Sequence, residues 1–463
     1  MTVRIYDALA AYRRGDTVPM HMPGHKRHTY DYLVGADMDI TEIDGFDDLH
    51  DAEGLLREAM DNAARVWGSR HAYFCVNGST GGILAAIHAC APRGKKILVA
   101  QNCHKSVWHA IELCRLMPVR ISPPVEEYFD IFGSVDPKVV EDSLNENQNI
   151  AAVVITSPTY EGVISDVAAI CAAAHRHGIP VIVDEAHGAH LGFAPFPNGA
   201  VRTGADIVVQ SLHKTLPSLT QTAIVHLCGE LIDPAAFARS KNLFETSSPS
   251  YLLMASCDGC TRLLGGDDPT PLDGWAEVLD LFYARTADLR HLRIFRPEGR
   301  REVFAHDPSK IVISTRGTSI TGGELMRRLR EEYAIELEMA SGDYALAMTG
   351  HGTTREHALR LADALRAIDR TLTPADVPAP ILLPPPAEQV MRPADAVTAP
   401  KLTLPVEQTE GEIAADYLWA YPPGIPLLSP GQHIDRAALD AIAALRARGV
   451  SLREEIAVVE EHL

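Results

Sequence analysis

Between residues 55 and 227, short apolar runs alternate with segments of helical period, and this alternation leaves the chain few folds. Ala72–Val76, Lys96–Ala100, Ile150–Ile155, Pro180–Val183, Ile207–Gln210 and Thr222–Leu227 read as strands, with a shorter one at Val119–Ile121. Leu55–Val66, Ile83–Cys90, Val107–Leu116, Asp136–Asn145 and Asp166–His177 read as the helices between them. Strands separated by helices of this length need crossover connections. The expected class is therefore α/β, a mainly parallel sheet with helices on both faces.

The pattern changes on either side. Ile5–Tyr12 reads as a short helix, followed by the polar turn His21–Lys26 and an irregular acidic stretch, Asp37–Glu53. Residues 233–295 are mainly helical. From Lys310 the order strand 310–314, helix 322–332, strands 334–340 and 344–349, helix 355–369 suggests a smaller α+β domain. The segment 372–400 is proline-rich and includes Leu383–Pro386. Beyond it come a helix-like stretch at 407–415, turns at Tyr421–Pro426 and Ser429–Gly431, and a helix from Arg436 to Arg448. The expected division is an N-terminal arm (1–54), a large domain (55–295) and a small C-terminal domain (296–463).

Composition narrows the partners. A net charge of −19 disfavours nucleic acid and anionic membrane. No run approaches the roughly 20 apolar residues of a membrane span, and the first residues lack the apolar core of a signal peptide. A cytoplasmic protein is expected. The eight cysteines lie mostly inside apolar runs, as buried free thiols do. Cys257 and Cys260 have C-x-x-C spacing without a second pair, so no metal is expected.

Chemistry concentrates in four loops at strand ends, where open α/β sheets bind ligands. Asn77-Gly-Ser-Thr-Gly-Gly82 opens a helix, and Gly78, Ser79 and Thr80 there suit a phosphate. His104 follows strand 96–100, with a capping histidine as the plainer alternative. Asp184 ends strand 180–183, and Ser211, His213 and Lys214 follow strand 207–210. Pyridoxal 5'-phosphate needs all four: an amine to bond, a carboxylate for its ring nitrogen, a phosphate cradle and a flat group to stack on the ring. Lys214, Asp184, the 78–80 loop and His104 supply them. Asp184-Glu-Ala-His187 also spells a helicase DEAH box, but no Walker A sequence precedes it.

Nine ordered motifs then resemble one family. They are HMPGHK (21–26), TEIDGFDDLHDAEG (41–54), NGST (77–80), NCHKS (102–106), ITSPTYEGV (155–163), VDEAHGAH (183–190), QSLHKTLPSLTQ (210–221), TSSPSY (246–251) and YPPGIPLLSPG (421–431). The chain resembles the Orn/Lys/Arg decarboxylases, fold-type-I pyridoxal-phosphate enzymes, in their short form without an N-terminal wing domain. The resemblance implies an aspartate-aminotransferase-like large domain and a homodimer, or a higher assembly, with shared active sites. It makes Lys214 the Schiff-base lysine, Asp184 the ring-nitrogen partner and His104 the stacking residue. Ser79, Thr80 and Ser211 become phosphate contacts, with Gly78 and Ala186 beside the cofactor, and His213 acts near Cα. Thr246 and Ser247 reach the phosphate of the neighbouring subunit. Some members carry Trp where this chain has His187. Sequence continuing past the proline-rich segment makes that segment irregular packing rather than a linker.

The implied reaction removes CO₂ from a basic amino acid, arginine to agmatine first, then lysine to cadaverine, then ornithine, feeding polyamine synthesis. Asp47 and Asp48, with Glu42 and Asp44, are candidates to meet the cationic side chain. The rivals are an aminotransferase or other lyase on the same fold, with Arg316 holding the α-carboxylate, and a catalytically dead cofactor-binding regulator.

Overall fold

The structure, a computed structural model, describes residues 4–377, 387–420 and 424–460. Leu383–Pro386 and Tyr421–Pro423 lie outside the described residues. The chain forms two compact units, Met1–Ala89 with Ile182–Leu272, and Cys90–Val181 with Asp273–Leu463.

In the first unit, helix Leu55–Trp67 shows how pattern becomes structure. Leu56, Ala59, Met60, Ala63, Ala64 and Trp67 are buried, one stripe at helical spacing. Gly68, at φ +86°, ends the helix in the left-handed conformation that a side chain disfavours. The strands lie in the order His71–Cys75, Ala223–Leu227, Ile207–Ser211, Val181–Asp184. The last two are parallel and the other pairings antiparallel. Ile207–Ser211 is buried at every residue, as expected for an interior strand. Helices Pro234–Phe244 and Tyr251–Leu264 follow.

The sequence reading placed a turn at 77–82 and a helix from Ile83. Instead the helix begins at Gly78 and runs to Cys90, so the glycines and hydroxyls form its first turn. Gly82 explains the tight fit. A Cβ there would lie 2.7 Å from Val225 and 2.9 Å from Val209, so the helix rests directly on the sheet.

In the second unit, Lys96–Ala100 pairs in parallel with Met117–Ile121 and Ile150–Thr156. A separate antiparallel sheet runs Arg293–Ile294, Lys310–Ser314, Tyr344–Met348, Met339–Ser341. Helices Gly322–Tyr333 and Arg355–Asp369 match expectation closely. The expected strand 334–340 is shorter, because Ala334 at φ +51° still belongs to the helix cap.

The tail differs most. Residues 407–415 form only a short 3-10 turn, Val406–Gln408. Four strands went unread: Lys401–Pro405 pairs with Glu455–Val459, and Leu418–Ala420 with Ile425–Leu428. Helix Arg436–Ala447 completes a core that includes Leu418, Leu428, Ile434, Ile442 and Val458. Of the described parts of 372–400, residues 373–377 are exposed and the stretch from 387 on is packed in part. Helix Pro393–Thr398 buries Ala396, and Gln389 Nε2 donates to Pro430 O at 2.7 Å.

Candidate active site

Register assembles the site within the first unit. Cys75 pairs with Ala223, Ala223 with Ser211, and Asp184 with Val209. The carboxyl ends of three strands therefore share one edge, and the segments after residues 75, 184 and 211 leave from it. Past Asp184 the backbone stays tied to its neighbour: Ser211 N donates to Ala186 O at 3.3 Å. That bond holds the Asp184 and Lys214 loops together.

Lys214 Nζ lies 2.8 Å from His187 Nε2. Sequence reading noted His187 only as a departure from family pattern, and nothing in its spacing announced this contact. Asp184 is 4% exposed. Burial raises its carboxyl above the ordinary range, while the Lys214 charge and the Ala186 N–H pull it back. His213 Nδ1 lies 2.9 Å from Thr222 O. A carbonyl only accepts, so Nδ1 carries the proton and the neutral ring keeps a lone pair on Nε2. Burial, opposed by the Thr222 bond and reinforced by the Lys214 charge, lowers the His213 pKa and favours that neutral form.

The fit to pyridoxal phosphate rests on what these groups leave open. Ser211 Oγ is buried and has no hydrogen-bond partner among the described residues. Gly78, at φ +71°, starts a helix whose first turn carries Ser79 and the exposed Thr80, and whose N–H groups favour an anion. A buried carboxylate, an amine, an open hydroxyl and a helix N-terminus on one sheet edge suit this cofactor.

Glu185 was missed altogether. It is 1% exposed, its oxygens accept from Ala200 N and Gln210 Nε2, both at 2.7 Å, and burial pushes its carboxyl up to about 8. Gln210 reaches on to the buried His226 at 3.3 Å. This polar chain fixes the strand ends just behind Asp184 and Ser211.

The other expected residues lie at the edge of this group or away from it. Thr246, half-buried, and Ser247, exposed, lie next to the glycine-rich turn. Glu245 accepts from Val76 N at 2.9 Å, and Asn77 Nδ2 donates to Phe244 O at 2.9 Å. His50 Nε2 donates to Thr246 O at 2.7 Å, so the stretches 41–51 and 246–250 meet within one chain. His104 belongs to the second unit. It is the N-cap of helix Lys105–Leu113, its Nδ1 accepting from Ser106 N at 3.3 Å.

Asp47 turns out to anchor a helix. Its oxygens accept from the backbone of Asp48, Glu53, Gly54, Leu56 and Arg57 at 2.8–3.3 Å. Burial pushes its carboxyl up, but these N–H groups outweigh that and hold it below the ordinary value. Asp47→Ala should therefore destabilise the fold by about 1–2 kcal/mol, the range of a lost helix cap, with KM for the substrate unchanged. A raised KM at unchanged denaturation midpoint would return Asp47 to substrate recognition. Arg316, the basis of the aminotransferase rival, is 3.1 Å from Asp130 and donates to Glu127 O at 2.8 Å, both in the second unit.

Residues 4–282 match the family described as Orn/Lys/Arg decarboxylase, major domain, and residues 383–451 match its C-terminal domain. The chain belongs to the Orn/Lys/Arg decarboxylase family. An arginine decarboxylase of Bacillus subtilis is 30% identical over 444 residues, covering 93% of this chain and 91% of that one. The constitutive lysine decarboxylase of Escherichia coli is 25% identical, covering 91% of this chain and 72% of its own. Its solved structure superimposes with a TM-score of 0.83 over 98% of this chain and 82% of that chain, at 20% identity by structure. A pyridoxamine-pyruvate aminotransferase from Mesorhizobium loti shares the fold more distantly, at TM-score 0.52 and 17% identity over 69% of this chain and 85% of that one. These likenesses give this decarboxylase-family chain its fold class, the fold-type-I architecture of pyridoxal-phosphate enzymes.

Proposed function

We propose that the chain decarboxylates basic amino acids with pyridoxal phosphate, taking arginine before lysine and lysine before ornithine, and supplies polyamine synthesis. The observation that carries this is the buried Asp184 and the Lys214 amine on adjacent strand ends of a chain in this family. Similarity to an arginine decarboxylase along nearly the whole chain supports arginine as first choice.

Bound pyridoxal phosphate supplies an aldehyde that combines with an amine, and a protonated ring that draws electrons from the bond to the departing carboxylate. Lys214 holds the cofactor between turnovers. His187, whose Nε2 is 2.8 Å from its Nζ, would hold or take up a proton at that amine. Asp184 keeps the ring nitrogen protonated by offering it a buried negative charge. His104, which the resemblance makes the stacking residue, would supply a flat face for the ring. Ser79, Thr80 and Ser211, with the helix N-terminus at Gly78, hold the phosphate. After CO₂ leaves, Lys214 would return a proton to Cα, and His213, neutral with its lone pair on Nε2, would do so only after taking up a proton there.

A panel of arginine, lysine, ornithine, alanine and glutamate, followed for CO₂ and for keto acid, tests the reading. CO₂ release with the highest kcat/KM for arginine is expected. A neutral or acidic amino acid as best substrate would overturn it, keto acid would point to transamination, and no product to a binding protein. The eight free cysteines accord with a reducing, cytoplasmic setting. No helix among the described residues is long and apolar enough to cross a membrane.

The reading includes a shared active site in a two-fold dimer, each chain lending the 41–51 and 246–250 stretches to the other. Asp48→Ala should then be inactive yet bind cofactor. Refolding it with inactive Lys214→Ala should restore part of the activity through mixed dimers carrying one intact site. Mixed dimers that form and stay inactive would place both stretches in their own chain's site.

A further inference from the structure

The second unit holds a partly open pocket of about 110 Å³ that shares no lining residue, among the described residues, with the group around Lys214. Its walls come from the strands Val125–Glu126 and Ile131–Phe132, from Glu161, from the turn at 341–344, from strand Ile425–Leu428 and from the end of helix Arg436–Ala447. Apolar lining is provided by Ile131, Phe132, Ile425, Leu427, Leu445 and Val450. The charged lining is Asp130, Glu161, Asp343 and Arg448.

These charges are unevenly satisfied. Arg448 Nη1 lies 2.8 Å from Asp130 Oδ2 and 3.4 Å from Asp343 Oδ2, and Arg316 Nη1 is 3.1 Å from the same Asp130 oxygen. Asp130 Oδ1 is buried and has no hydrogen-bond partner among the described residues. Asp130 also sits at φ +53°, a left-handed conformation that disfavours a side chain. Glu161 is 6% exposed, and one of its oxygens accepts from Tyr344 OH at 2.8 Å.

A buried acceptor without a donor is costly, and a ligand that brings a donor to it recovers that free energy. Among the described lining residues three carboxylates face one cation, Arg316 adds a second cation beside Asp130, and burial raises the Glu161 carboxyl, so the open acceptor calls for a ligand with N–H donors, an ammonium included. A bare metal ion does not suit walls that are largely aliphatic, since hard cations need six or more oxygens. Methylenes do suit them. The volume exceeds what one or two waters need and leaves room for a short alkyl chain.

We propose that this cavity is a binding site for a small aliphatic amine. Its ammonium group meets Asp130 Oδ1 and Glu161, and its methylenes lie along Ile131, Phe132 and Leu445. The ligand class follows from the cavity walls and does not depend on the decarboxylase reading. Because decarboxylation also releases an amine, the experiment has to separate this cavity from the site at Lys214.

Isothermal titration of the cofactor-loaded enzyme with the four-carbon diamine putrescine, and with butanediol as its neutral counterpart, makes that separation. Putrescine should bind and butanediol should not. Asp130→Asn should weaken this binding about tenfold or more, the loss of about 1.4 kcal/mol. Val450→Phe, which fills the cavity without touching its charges, should abolish it. In both variants kcat/KM for the amino-acid substrate should stay within about twofold of the parent. The proposal is overturned if putrescine fails to bind the parent, if both variants bind it as the parent does, or if butanediol binds equally well. It is also overturned if the variants lose catalysis in step with binding, which would make the cavity part of the substrate site.

Discussion

Lys214→Ala is expected to end CO₂ release and to remove the visible absorbance that pyridoxal phosphate shows when joined to a lysine. The amine is the group the chemistry requires, and alanine offers no substitute nucleophile. The fold should survive. Lys214 follows a fully buried strand whose pairings do not involve its side chain, and the main local loss is the 2.8 Å contact with His187. Losing one hydrogen bond costs about 0.5–1.5 kcal/mol, which should appear as a lowered denaturation midpoint and not as unfolding. Lys214→Arg sharpens the test. It keeps a cation near Asp184 and a donor toward His187, yet guanidinium does not deprotonate and forms no bond to the aldehyde. Arginine should therefore restore the midpoint but neither absorbance nor turnover. Absorbance and CO₂ release persisting in Lys214→Ala would place the cofactor on another amine.

Asp184→Asn should lower kcat by about 10²–10³, the cost of removing one preorganised electrostatic partner from a reacting centre. Asparagine keeps the shape and an oxygen for the Ala186 N–H, 3.2 Å from Asp184 Oδ1, so the turn into residues 185–187 should hold. What disappears is the negative charge. Burial makes that charge costly, the Lys214 charge offsets part of the cost, and a protonated ring nitrogen would offset the rest. Cofactor occupancy read from absorbance, together with kcat, separates loss of the ring partner from loss of binding. A near-normal kcat at full occupancy would reduce Asp184 to a structural residue of the turn.

Lys214, His213, Ser211 and Asp184 were legible from sequence because each directly follows or ends a strand recognisable from its apolar run. Strand ends are where such folds place their chemistry. His187 and Glu185 lie in the same segment, but their importance comes from neighbours 27 and 25 residues away, Lys214 and Gln210. Spacing does not encode such contacts. The anchoring contacts of Asp47 were not legible for a related reason. An acidic residue in an irregular stretch looks available to a cation, whereas its acceptors are filled by backbone N–H groups up to ten residues ahead. The helices of the small domain were legible from period and caps, such as Thr321 and Thr354. The tail strands were not, because Lys401–Pro405 is short, ends in proline and finds its partner at Glu455–Val459.

The strand His71–Cys75 pairs only with Ala223–Leu227 among the described residues, and the helix that opens at Gly78 rests on Val209 and Val225. During synthesis, the first 89 residues therefore emerge well before the segments that complete their unit, with the residues of the intervening 90–181 stretch belonging to the other one. At about 5–20 residues per second on the ribosome, the apolar edge of His71–Cys75 and the underside of its helix wait roughly 7–30 seconds for cover. That interval exposes a template for aggregation. Slowed translation between residues 90 and 223 should lower the yield of folded protein more than equal slowing after residue 272.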